Sequence, residues 1–177
     1  MLHLETPHLV LEPVDPHSPP YDLLTVFNSN PDFLEATRGE AMSAFDLPDV
    51  KTFIQSATSR AHDRCLAIRL RETGRLIGAA VIVAPHTGQP YPWLGLLILD
   101  SAWQGRGLGA EAVQAIEEGL AQEGWSEVHL CVLEASPRAR QFWERQGYAV
   151  YGERRDREGR ACWLLCKALV VGEPQHA

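Results

Sequence analysis

"LLILDSAWQGRGLGAEAVQAIEEGL", Leu96–Leu120, joins an apolar run to an amphipathic one through glycines at alternate positions. The apolar run begins at Trp93, and Trp93–Asp100 is apolar on both faces, which marks a central strand. From about Gly107 to Glu123 the positions Gly109, Val113, Ile116 and Leu120 form one apolar stripe, which marks a helix ended by Gly124. Gly105, Gly107 and Gly109 stand between the two elements, around Arg106. Glycine is a poor residue with which to begin a helix. A helix start, however, exposes unpaired N–H groups and the positive end of the dipole. Without Cβ atoms an anion can approach that backbone closely. "QGRGLG", Gln104–Gly109, therefore reads as an anion cradle, most simply for phosphate, with Arg106 as a charged fork. The competing reading is a tight turn that needs glycine for geometry alone.

Elements on either side can be read outward from this stretch. Leu9-Val10-Leu11 is a short strand ended by Pro13, and Val14–Pro20 is loop because three prolines forbid regular structure. Tyr21 to about Asn28 reads as a helix broken by "NSNPDF", Asn28–Phe33. "LEATRGEAMSAFD" is ambiguous, and about Asp49–His62 is helical, with Val50, Phe53, Ile54 and Ala57 at spacings of three and four. Cys65–Ala84 is an antiparallel hairpin turning at "RETG", and Pro85–Pro92 is a surface loop. After the glycines come a strand at Ser126–Leu133 and a short helix at Ser136–Gly147, with Ser136 as N-cap and Pro137 in its first turn. A closing hairpin turns at "DREG", and Gly172–Ala177 reads as a frayed tail. No boundary divides residues 1–177, which read as one domain.

Composition narrows the class. The chain has 177 residues, 45% hydrophobic and 22% charged, as an ordinary globular domain does. Its net charge of −7, with no Lys/Arg run that reaches four residues, argues against nucleic acid as a partner. An acidic surface tolerates an amine-bearing substrate, and it is also a common solubility device. The cysteines Cys65, Cys131, Cys162 and Cys166 form no CxxC, and no ligands cluster for a metal. Cys162 and Cys166 share one face of a strand and read as small core residues. No leader and no membrane-length apolar run is seen, so no membrane partner and a cytoplasmic location are expected.

The phosphate is not that of the common nucleotide motifs. A Walker loop needs Gly-Lys-Ser/Thr, and the dinucleotide fingerprint is G-x-G-x-x-G followed by an acidic residue; neither is present. Order and motif together resemble the GCN5-related N-acetyltransferases, whose signature is Gln/Arg-x-x-Gly-x-Gly/Ala after a central strand. Here that is Gln104-Gly105-Arg106-Gly107-Leu108-Gly109. The family's second motif ends in an aromatic helix and Gly-Phe/Tyr; "SPRARQFWERQGY" fits it through Ala139, Phe142, Gly147 and Tyr148. "TPHLVLEP", Thr6–Pro13, is similar to the family's first strand, and the resemblance runs from about Arg64 to Leu169.

The resemblance implies an α/β (α+β) fold: a mixed, mostly antiparallel sheet of roughly six to seven strands with about four helices. It implies acetyl-CoA as co-substrate, no metal, and transfer to a small-molecule or protein amine. Gln104, Gly105, Arg106, Gly107, Leu108, Gly109 and Ala110 would hold the pyrophosphate. Leu97, Ile98 and Leu99 would pair with the pantetheine arm where two parallel strands splay, and a backbone N–H near Leu97 or Ile98 would polarise the thioester carbonyl. The alternative for these three is plain sheet core.

The usual tyrosine of the second motif is Trp143 here and the usual asparagine is Ser136, which caps the helix or lines the site. Trp143 is either a wall of the thiol pocket or core; indole cannot serve as an acid. Candidate bases are Glu35, Glu40, Asp46, His86 and Glu134, each equally readable as a solvated group. Phe33, Phe45, Tyr91 and Trp93 would make the acceptor site partly aromatic. A homodimer through sheet edges or C-terminal strands is compatible with the fold. Two other functions stay open: an acyl-CoA-binding sensor without turnover, favoured by Trp143, and an unrelated α/β protein whose glycines only turn.

Overall fold

A computed structural model describes residues 2–39, 43–85 and 88–170. Glu40, His86 and the tail 172–177 lie outside the described residues. In chain order the elements are β1 (Leu4–Glu5), β2 (Leu9–Pro13), α1 (Leu23–Asn28), α2 (Pro31–Arg38), α3 (Leu47–Ala57), β3 (Arg64–Leu70), β4 (Leu76–Val83), β5 (Trp93–Leu99), α4 (Leu108–Gln122), β6 (Glu127–Leu133), α5 (Pro137–Arg145), β7 (Ala149–Arg155) and β8 (Ala161–Ala168). A 3-10 turn, Ser101–Trp103, leads from β5 to the glycines.

The strands form one sheet of eight, in the order β1-β2-β3-β4-β5-β6-β8-β7. The mixed, mostly antiparallel sheet flanked by helices is the expected architecture; among the described residues the strands number eight rather than six to seven, and one helix is added to the four expected. β1 is only two residues long and carries no alternation to read. The additional helix is α2, which starts within the stretch read as a break, Asn28–Phe33, and runs into the ambiguous segment; Pro31 at its first turn and Arg38 in its last supply the ends that periodicity lacked. α3 also stops at Ala57, short of His62, which takes a left-handed φ of 73° beyond the helix.

Two layers of helix cover the sheet. α4 and α5 bury Val113, Ile116, Leu120 and Trp143 against one face, where Leu66, Ile68, Ile77 and Ile82 point. α1–α3 bury Leu23, Phe27, Val50 and Ile54 against the other, over Cys65, Ala67, Ala79 and Val81. Alternation along β3 and β4 sends successive side chains to opposite layers, so both strands are apolar almost throughout.

Every pairing in the sheet is antiparallel except that of β5 with β6. β5 is sealed to β4 from Trp93↔Val83 to Leu99↔Gly78. Towards β6 it pairs only at Trp93↔His129. The cause lies in β5 itself. Its register against β4 slips between Leu94 and Leu96, leaving Gly95 as an extra residue. Such a bulge bends the strand that carries it. β5 turns away from β6 immediately after the shared pair, and a wedge-shaped gap opens toward the glycines.

Candidate functional site

The gap is lined by backbone. Successive residues of a strand offer their N–H and C=O to opposite neighbours. The Ile98 carbonyl turns toward β4, where it would lie 2.5 Å from a Cβ placed on Gly78. The N–H of Asp100 donates to Ile77 O at 2.8 Å, again on the β4 side. Leu97 and Leu99 therefore present their polar groups to the open edge. Of the expected strand residues, Leu97 and Leu99 face the gap, whereas Ile98 turns its backbone to β4 and its side chain into the core.

At the wide end of the gap stands the start of α4. Gly105 and Gly107 hold left-handed φ values of 71° and 81°, which favour glycine, and a Cβ on either would meet nothing within 4 Å. Gly109 has a different reason: a Cβ there would lie 3.4 Å from the Phe142 ring of α5. Two glycines thus shape an exposed loop and the third lets two helices approach. The first N–H bonded back within α4 is that of Glu111, to Gly107 O. The N–H groups of Leu108, Gly109 and Ala110 precede it and have no intrahelical carbonyl to meet. Arg106 lays its guanidinium 4.7 Å from the centre of the Trp103 ring, and Arg75 approaches the same ring at 5.6 Å. Among the described residues neither arginine forms a salt bridge.

A cleft of about 630 Å³ lies between α2, the end of β6, the start of α5 and the β7–β8 turn. Asp32 and Glu35 of α2 face Ser136 and Arg138 of α5 across it, with Glu158 and Arg160 from the turn. Arg160 fixes the turn to α2 by donating from Nη1 to Ala36 O at 2.8 Å. Ser136 holds the N-cap position of α5 but makes no capping bond, so its hydroxyl is left to the cleft.

The remaining candidates fall elsewhere. Trp143 is core, 8% exposed, edge-on to Phe142 and Tyr148. Asp46 is engaged in a reciprocal capping box with Asp49, and Glu134 does not line the cleft. Phe33 and Phe45 pack with Phe27 and Phe53 beneath α1–α3. Tyr91 and Trp93 gather on His129 at the closed end of the gap. There His129 Nδ1 lies 3.0 Å from Tyr151 Oη and its Nε2 lies 3.1 Å from Glu127 Oε2. The four residues fall into two separate groups, Phe33 and Phe45 in the phenylalanine cluster and Tyr91 and Trp93 on His129. No aromatic residue lines the cleft among the described residues.

The Tyr148 hydroxyl is buried. Burial first, and the Glu117 carboxylate beside it second, push its pKa far above the ordinary tyrosine value, though no hydrogen bond of normal geometry joins the two.

Sequence reasoning missed Gly95 and Asn30. A lone glycine inside an apolar strand is a bulge signal. Asn30 stood in plain view within "NSNPDF", legible only as a break.

Comparison with known proteins agrees with this geometry. The acetyltransferase (GNAT) family model matches residues 30–148. No curated protein matches the chain by sequence. Among solved structures, an acetyltransferase from Thermus thermophilus is 26% identical, with a TM-score of 0.71 over 95% of this chain and 100% of that one. A GNAT-family acetyltransferase from Bordetella pertussis is 22% identical, with a TM-score of 0.67 over 95% and 100%. RimL, a ribosomal L7/L12 alpha-N-protein acetyltransferase solved with coenzyme A, is 13% identical, with a TM-score of 0.75 over 97% and 100%.

Proposed function

The chain belongs to the acetyltransferase (GNAT) family, and from that premise we propose that it transfers an acetyl group from acetyl-CoA to a primary amine held in the cleft between α2 and α5. One observation carries the reading: the open edge of β5 leads through the 3-10 turn to a helix start where Gly105 and Gly107 set no side chain beside the unpaired N–H groups. Between Trp93, which pairs with His129, and Leu99 O, which Asn30 and Gln104 occupy, the edge at Leu97 is left to offer its N–H and C=O to an extended arm. A bare helix start offers N–H groups to phosphate.

When bound, acetyl-CoA supplies an activated acetyl thioester. The N–H groups from Gly105 to Ala110, with Arg106, are the residues that would hold its pyrophosphate. The Leu97 N–H is the donor for the acyl oxygen; a single such donor contributes about 3 kcal/mol to catalysis in acyl transfer. Glu35 lines the cleft with no cation paired to it among the described residues, and it is the carboxylate that accepts the proton of the incoming ammonium. Ser136 is the hydroxyl that donates toward the departing sulfur. Little help is needed there, because a thiol has a pKa of only ~8.5. The buried Trp143 takes no part. The acceptor is a protein N-terminus, a lysine or a small amine.

Isothermal titration with acetyl-CoA, free CoA and ATP tests the cradle, and thiol release with an amine panel tests turnover. Micromolar acetyl-CoA binding with ATP much weaker, and amine-dependent release, are expected. For Glu35→Gln a fall in turnover of about 10²-fold is expected, with acetyl-CoA affinity unchanged. Acetyl-CoA binding without release for any amine would favour the sensor. No binding of any of the three ligands would return the glycines to a turn.

A further inference from the structure

The side chain of Asn30 sits at the N-cap of α2 and does not cap it. Asparagine is among the best capping residues, and the missing bond forgoes about 1 kcal/mol. The amide is turned back instead to the end of β5. Leu99 O lies on the open edge, where β6 no longer reaches it, and a buried carbonyl requires partners. It has two: Asn30 Nδ2 donates at 2.9 Å and Gln104 Nε2 at 3.0 Å. Gln104 Nε2 also donates to Asn30 Oδ1 at 2.7 Å, so both its hydrogens are committed. The remaining Asn30 hydrogen serves Val26 O at 2.7 Å and Ser29 Oγ at 3.2 Å. Chemistry fixes the orientation of the Asn30 amide, since a flip would set its oxygen against the carbonyls of Val26 and Leu99. A parallel tie joins Ser101 N–H to Ser29 Oγ at 3.0 Å.

Asn30 therefore links three things: the last carbonyl of the open strand edge, the first residue of the glycine loop, and the helix that follows. Pro31 fixes the chain direction at once, and Asp32 and Glu35 reach the cleft within the next turn. We propose that Asn30 is a positioning residue that couples the cradle to the acceptor wall, so that acyl-CoA held at Gly105–Ala110 orders α2 for the incoming amine. The inference rests on the proposed acetyl-CoA site and adds to it an ordered relation between its two halves.

The test measures ligand-induced protection rather than basal exchange. Acetyl-CoA is titrated calorimetrically into the wild-type protein, Asn30→Ser and Asn30→Asp, and amide exchange across Leu34–Arg38 is followed in each with and without saturating acetyl-CoA. Serine and aspartate both cap helices well, so either variant keeps a stable start to α2. Neither can rebuild the clamp. Serine is too short, and aspartate sets a carboxylate against two carbonyls. In the wild type, acetyl-CoA is expected to slow exchange across Leu34–Arg38 by about threefold or more. In both variants that slowing is lost, while acetyl-CoA affinity stays within about threefold. Equal protection in wild type and variants overturns the coupling, as does acetyl-CoA binding to the wild type that leaves α2 unprotected. Absence of heat in the wild-type titration is a different failure: it removes the acetyl-CoA site, and the coupling with it.

Discussion

The two edges of β5 have the same side chains and opposite fates. Toward β4 the strand is sealed from Trp93 to Leu99, and toward β6 it is open after a single pair. On the sealed edge glycine serves packing: Gly78 leaves room for Ile98 O and the Leu99 side chain, each 2.5 Å from where a Cβ would stand. On the open side glycine serves approach: at Gly105 and Gly107 a Cβ would meet nothing of the protein within 4 Å. Gly39, Gly74, Gly88, Gly124 and Gly159 share that open direction, so what sets Gly105 and Gly107 apart is the run of unpaired N–H groups, Leu108 to Ala110, that follows them. The difference teaches that a glycine's role is read from what its missing Cβ would touch together with the backbone groups beside it.

Substituting the glycines breaks this comparison most severely. Gly78→Ala forces backbone and a packed leucine apart, and we expect a loss of about 3 kcal/mol in denaturant unfolding. Acetyl-CoA affinity of the folded fraction should fall less than in Gly107→Ala, the displaced Ile98 and Leu99 lying on the strand that bears the open edge. A loss under about 0.5 kcal/mol would mean that the sealed edge is looser than its register implies. Gly107→Ala reverses the pattern. Left-handed strain costs it roughly 1 kcal/mol of stability, while acetyl-CoA affinity falls by about 10- to 100-fold because the new methyl group projects into the open space through which a phosphate approaches the helix start. A β-branched residue at this φ would confuse strain with blocked binding, so alanine is the sharper probe. Equal affinity in the alanine variant would remove phosphate from the cradle.

Arg106→Ala is expected to weaken acetyl-CoA binding by about tenfold or less, since the guanidinium is exposed and screened by salt. The effect should shrink between about 50 mM and about 500 mM salt. An effect independent of salt would assign Arg106 to stacking on Trp103 instead.

The smallest effect separates the two sides by chemistry. Cys65, on β3 beneath the sealed half, is 2% exposed, and burial raises its thiol from the usual 9.0 to about 12. Its neutral form is favoured by folding. That contribution is complete below pH 9 and is lost as pH rises toward 12, because the unfolded chain ionises first. Stability of the wild type should therefore slope downward across this window more steeply than that of Cys65→Ala. In the folded protein at neutral pH, iodoacetamide should reach the half-buried Cys131 and Cys166 of the β6–β8 half well before Cys65. Preferential labelling of Cys65 would contradict the sealed half.

Much of the fold is legible in the sequence where a local pattern carries it. The β3–β4 hairpin, the run from β5 through α4, and the second motif on α5 all have period or punctuation within a few residues. The three glycines stand out together, but one reason does not cover them. Gly109 answers to Phe142 on a helix roughly thirty residues on, a distance no window spans. Trp143 reads equally as pocket or core in the sequence, and only the packing of Phe142 and Tyr148 around it settles its place. Gly95 reads as one more residue of an apolar strand. Its effect is on register against β4 and direction against β6, which are pairwise properties. Asn30 looks like a helix breaker because its partners, Leu99 O and Gln104, are brought together only by the fold.

The most direct test of the open edge compares two adjacent amides. Residue-resolved hydrogen exchange by NMR should be measured at Leu97 and Ile98, with and without saturating acetyl-CoA. If the open edge of β5 holds the acyl-CoA arm, exchange at Leu97 slows markedly on addition while Ile98, turned to β4, is unchanged. Bound acetyl-CoA with no change at Leu97, or an equal change at both amides, would contradict the account.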